Sequence, residues 1–149
     1  MQLKKIIYNE DFAKLFLRTS IAVLMLMHGI CKIKNGVDDI QQWIVEMGLP
    51  SVLGYGVYIP EIVAPLCLIA GIYVRSASFV LLMNMFVALF YLYTKGYAPF
   101  SVDAYGWFHA EVDILYIIIF CALIFLGGGK YALLRQHQLE KYALNSKKL

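Results

Sequence analysis

Charge is the scarcest commodity in this chain. Only 15% of its 149 residues are Asp, Glu, Lys or Arg, 61% are hydrophobic, and mean hydropathy is +0.68. A soluble domain carries about 25% charged residues, so the composition excludes one and describes an integral membrane protein. Cysteine is scarce too. Cys31, Cys67 and Cys121 are odd in number, lack CxxC spacing and lie partly in apolar runs, which supports buried small hydrophobes rather than a disulfide framework or zinc site. Histidine occurs at 28, 109 and 137 with neither HxxxH nor CxxCH spacing, so neither a metal nor haem is expected. No flavin or iron–sulfur motif is present. The formal charge of +3 is modest and its cations sit in loops and ends, which leaves no nucleic-acid footprint.

What is present is a series of apolar runs. Membrane-length segments fall at about 12–33, 57–74, 77–93 and 109–126. They predict an all-α integral membrane four-helix bundle over residues 1–133, followed by a polar tail at 134–149 whose LLRQHQLEKYAL reads as a short surface helix. The first run is too long for a signal-peptide core and lacks a small-residue cleavage pattern, so it is read as a retained span. Between the first two runs lies a stretch of about twenty residues too polar to cross a bilayer. Within it Ile40, Trp43, Ile44 and Met47 recur at helical spacing, which predicts a short interfacial helix with Trp43 at headgroup depth. Pro60 fits the first turn of the second span, Pro65 should kink it, and RSAS at 75–78 reads as the turn into the third. The third span is apolar apart from Asn84, its aromatics reading as lipid-facing or packing groups. Three glycines at 127–129 end the fourth.

The polar residues inside these runs are the candidate site. A cation in hydrocarbon costs a few kcal/mol, so it normally faces a polar interior, a partner or water. On the first helix Arg18, Met25, Gly29 and Lys32 share a sector, His28 lies beside it, and Gly29 would let a neighbouring helix or a ligand approach. Arg18 as a structural ion-pair partner and Lys32 snorkelling to the interface are the competing structural readings. Lys and Arg concentrate at the N-terminus, the second-to-third turn and the tail, so the positive-inside rule places both termini in the cytoplasm. That topology carries His28, Lys32, Glu61, His109, Glu111 and Asp113 to similar outer depth. A polar pocket between helices near the outer leaflet follows, with Glu61 and His28 as proton-handling groups and Arg18, Lys32, Glu111 and His109 as ligand-binding ones. Such a pocket suits a carbonyl ligand such as a quinone head group; it equally suits a structural salt-bridge network.

Arg18, HGICK at 28–32, GLP at 48–50, PEIVAPLCLIAGIYVRSAS at 60–78, Glu111 and GGGKYAL at 127–133 together resemble the DoxX family of small four-helix bacterial membrane proteins, from Leu17 to Leu133. Where that family commonly ends its glycine motif on an acid, this chain has Leu134. The resemblance implies a multi-pass protein of the bacterial inner membrane. It also implies a quinone-linked or redox-associated role, since some relatives are subunits of thiosulfate:quinone oxidoreductase. The polar positions it carries over are Arg18, His28, Lys32, Glu61, Arg75 and Glu111. The expected partners are the lipid bilayer, a membrane quinone, a redox partner subunit and a second copy of the chain, and no metal or flavin is expected. A non-enzymatic membrane scaffold is the alternative class. A small-molecule transporter is a third, although a single four-span unit lacks the paired repeats usual in transporters.

Overall fold

The computed structural model of the chain describes residues 9–97 and 110–134. His109, the loop around it and the tail helix expected beyond 134 lie outside the described residues. Among those described, every regular element is helical. Helix α1 spans Glu10–Asn35; Asn9 starts it by accepting hydrogen bonds from the Asp11 and Phe12 amides through Oδ1 at 3.1 and 3.2 Å. The short helix α2 covers Asp38–Glu46. A 3₁₀ segment, Ser51–Val57, a π-helical turn, Ile59–Val63, and α3, Ala64–Ala70, follow as one rod, then α4, Val74–Thr94, and α5, Glu111–Leu126.

Among the described residues three segments are long and apolar enough to cross a membrane: Glu10–Asn35, Ser51–Ala70 and Val74–Thr94. The second is displaced from the expected 57–74. It begins at Ser51 because residues 51–57 coil as 3₁₀ helix in line with the rod, and it ends at Ala70 because Gly71 turns left-handed at φ 72°. RSAS is likewise no turn. Its residues are compatible with helix and form the first turn of α4, while the reversal is made by residues 71–73, with Tyr73 also left-handed at φ 48°. The π turn ends two residues before Pro65, which has no N–H to offer the Glu61 carbonyl; Ala64 N–H, between them, reaches back to Ile59 O. As described, α5 is 16 residues long.

The core is a seam of alanine, branched aliphatic, methionine and aromatic side chains. Ile21, Ala22 and Met25 of α1 meet Ala64 and Leu68 of α3, Ala77, Leu81 and Met85 of α4, and Tyr116, Phe120 and Leu123 of α5. Gly29 faces the rod so closely that a Cβ there would sit 2.5 Å from the Glu61 carbonyl oxygen. The close approach expected at Gly29 is therefore made by a helix backbone. Outside the seam, Phe16, Phe79, Phe86, Phe90 and Phe125 are exposed, the last at 81%. A surface this apolar is at home in lipid rather than water.

Candidate functional site

Two polar constellations occupy opposite ends of α1. Arg18 and Lys32 are fourteen residues apart, about 21 Å along the axis at ~1.5 Å per residue. One cluster therefore cannot hold both.

At the Arg18 end the chemistry is structural. Arg18 is 1% exposed, and its guanidinium donates from Nη1 to Leu68 O at 3.0 Å and from Nη2 to Tyr131 O at 2.8 Å. Leu68 O lies in the last turn of α3, where carbonyls are left over and the helix dipole is negative, so a cation there is favourable. No carboxylate pairs with Arg18 among the described residues, which replaces the expected ion pair with a helix-end cap. The glycine-rich segment after α5 folds back onto the same place. Leu133 and Leu134 donate backbone hydrogen bonds to Ala70 O and Gly71 O, and Lys130 N–H donates to Asp11 Oδ1 at 2.9 Å. Arg18 thereby ties α1, α3 and the segment at 127–134 together.

At the other end Lys32 of α1 forms an ion pair with Glu61 Oε1 of the π turn. Glu61 is only 4% exposed, and its second oxygen, Oε2, is shielded from solvent and has no hydrogen-bond partner among the described residues. The π turn and the glycine contact at Gly29 hold this carboxylate against α1, while Tyr58 fixes the end of α1 by donating its hydroxyl to Lys32 O at 3.3 Å. Both ion-pair residues line a cavity of about 620 Å³. Its walls come from the end of α1, from α2, from the 3₁₀ segment and from Asn84, Val87, Ala88 and Tyr91 of α4.

Helix α2 roofs this cavity. Its Trp43 is buried and turned inward: the indole Nε1–H donates to Thr94 Oγ1 at the end of α4 at 2.8 Å, and the ring packs edge-on against Phe90 and Tyr91. An exposed Lys95–Glu46 pair at 3.3 Å adds a weaker tie. Gly54 lets the 3₁₀ segment pass close under α2, since a Cβ there would meet Gln41.

The remaining sequence-expected residues lie elsewhere. His28 is exposed, its Nδ1 sits 3.0 Å from Leu24 O, and its ring stands edge-on to Tyr116 with centroids 6.2 Å apart. It faces α5, within electrostatic reach of Asp113, and does not line the cavity. Glu111 is exposed in the first turn of α5, a favourable place for an acid on dipole grounds, and Arg75 is exposed in the first turn of α4. Of the expected cluster, the structure joins Lys32 to Glu61 and His28 to the α5 seam as two separate sites. Asn84 and Trp43, noticed in the sequence only as an isolated polar residue and an interfacial aromatic, are cavity residues.

The DoxX family model matches residues 13–94, more than half of the chain, and this covers Lys32, the α2 roof, Glu61 and Asn84. An uncharacterised protein of Haemophilus influenzae is 32% identical over 120 residues, 79% of this chain and 85% of the relative. No solved structure matches. A family model spanning the elements that build the cavity, together with a relative similar over most of both chains, identifies this as a DoxX family protein.

Proposed function

We propose that this DoxX protein is a multi-pass, four-helix subunit of the bacterial inner membrane, with both termini cytoplasmic, and that it engages a membrane quinone in the cavity under α2. The observation that carries this reading is the Glu61 carboxylate, buried, half-satisfied by Lys32 and belonging to the wall of a cavity that mixes apolar side chains with Asn35, Asn84 and the exposed Asp38 and Asp39. Buried polar atoms are normally partnered, and an orphan in a cavity wall is what a ligand would satisfy. A volume of about 620 Å³ falls in the range of small-molecule sites, roughly 300–1,000 Å³. Apolar walls from Val37, Ile40, Leu53, Val57 and Val87 beside a set of polar groups suit a head group delivered from lipid.

The residues would divide the work as follows. Lys32 has three N–H donors and gives one to Glu61, leaving others to hold a ligand oxygen. Glu61 accepts a proton or hydrogen bond on the oxygen that Lys32 does not use. The Asn84 amide both donates and accepts from the facing wall. A bound quinone would supply the redox couple, and the sequence carries no electron-carrier motif of its own. Electrons would therefore come from a partner subunit or from a donor acting directly on the quinone.

The test is the thermal midpoint of purified protein with and without a short-chain ubiquinone or menaquinone analogue in each redox state. Saturation at about 100 times Kd stabilises by ~2.7 kcal/mol, a rise of about 5–10 °C for a chain of this size. The rise should disappear in Ala88→Phe, which places an aromatic ring inside the cavity beside Asn84 and Tyr91. Absence of a rise with either redox form, or one that persists in Ala88→Phe, sinks the assignment. A scaffold reading is favoured by Arg18, whose two terminal nitrogens join segments of the chain, while its buried Nε finds no partner among the described residues and does not line the cavity under α2. Under it the Lys32–Glu61 pair is a second such tie, and Glu61→Gln lowers the midpoint while no analogue moves that of the wild type.

A further inference from the structure

We infer that the cavity selects the reduced head group, so that its ligand class is an aryl hydroxyl, a quinol, in preference to the oxidised quinone. This rests on the proposed reading of the cavity as a quinone site. A carboxylate paired with Lys32 is an acceptor on both oxygens. One is taken by the ammonium group, and the other finds no donor among the described residues while being shielded from water, so it carries the penalty of an unmade bond. Only a ligand that donates can relieve it.

A quinol hydroxyl donates, whereas a quinone carbonyl offers lone pairs to lone pairs and leaves Oε2 as it was. Oε2 is shielded as it stands, so a ligand reaches it by rotation about the terminal torsion of Glu61, which is broad and roughly two-fold. The other polar groups do not discriminate. Lys32 donates equally well to a hydroxyl or a carbonyl oxygen, and the Asn84 amide accepts from one and donates to the other. Asp38 and Asp39 also line the cavity and are acceptors, but both are exposed and hydrated, so among the buried lining groups redox-state selectivity falls on Glu61. Hydrogen bonds to charged acceptors are roughly twice as strong as neutral ones, so the expected preference is about tenfold or more.

The experiment is calorimetric titration of the full-length protein in nanodiscs with three probes: decylubiquinol under argon, decylubiquinone, and the dimethyl ether of the quinol, which keeps the shape without the donors. Wild type should bind the quinol at least about tenfold more tightly than either other probe. In Glu61→Gln the preference should fall to about threefold or less, since an amide donates to a carbonyl as readily as it accepts from a hydroxyl. The dimethyl ether arm needs no variant, so the inference stays testable if Glu61→Gln does not fold. Equal or tighter binding of quinone or ether, with loss of all binding in Ala88→Phe, overturns the redox selectivity and leaves the cavity assignment standing. Failure of all three probes to bind overturns both.

Discussion

Gly71→Ala isolates the Arg18 staple most cleanly. Gly71 ends α3 at φ 72°, and a Cβ there would collide with Arg18 Nη1 and approach Ala132 Cα to 2.7 Å. Holding a non-glycine residue in the left-handed region costs about 1–2 kcal/mol. The guanidinium could swing away, but only by giving up a bond to Leu68 O or Tyr131 O, and a charge-assisted hydrogen bond is worth about 1.5–3 kcal/mol. The backbone at Ala132 could retreat, but only by straining the Leu133 and Leu134 bonds to Ala70 O and Gly71 O. Together these give a loss of about 3–5 kcal/mol, or about 6–20 °C in thermal midpoint. Differential scanning fluorimetry in detergent measures it, with Gly56→Ala as control because nothing lies within 4 Å of a Cβ there. The decisive comparison is the double variant with Arg18→Met. If the clash with the guanidinium dominates, the two losses are less than additive by about 1 kcal/mol or more. Strict additivity, or a drop in Gly71→Ala no larger than in Gly56→Ala, refutes the staple as the source of the constraint.

At Gly29, replacement by Leu should cost more than replacement by Ala, because the Glu61 backbone cannot yield and overpacking costs about 1–3 kcal/mol against the ~1 kcal/mol of helix propensity that Ala regains; equal midpoints for the two variants would contradict the close contact. Lys32→Met strands a buried carboxylate and should destabilise by about 3–5 kcal/mol, much of it recovered in Lys32→Met/Glu61→Gln; a double variant no more stable than the single one shows that the pair is not the cause. Trp43→Phe removes the bond to Thr94 while keeping the ring, so a modest loss of about 0.5–1.5 kcal/mol is expected, together with faster amide exchange confined to residues 38–46. Exchange spread evenly over the chain would show that Trp43 does not hold the roof.

Much of this architecture was legible in one dimension, and for a simple reason. Hydrocarbon demands long apolar runs with internally satisfied backbones, so hydropathy alone located α1, α4 and α5, and the spacing of Ile40, Trp43 and Ile44 located α2. The bounds of the second span were misread because Gly54 and Gly71 act through a close contact and a left-handed dihedral angle that no hydropathy window registers. The same limit governs the site. The sequence determined which polar residues enter the membrane and that each needs a partner, since the cost of an unpaired charge is local. Which partner each one takes was decided only by the packing. Arg18 and Lys32 share a helical sector, yet fourteen residues of rise put one on the carbonyls at the end of α3 and the other on Glu61. His28, one turn from Lys32 and offset by only about 40° around the helix, packs on Tyr116 of α5 instead, because a different helix meets that edge of the face.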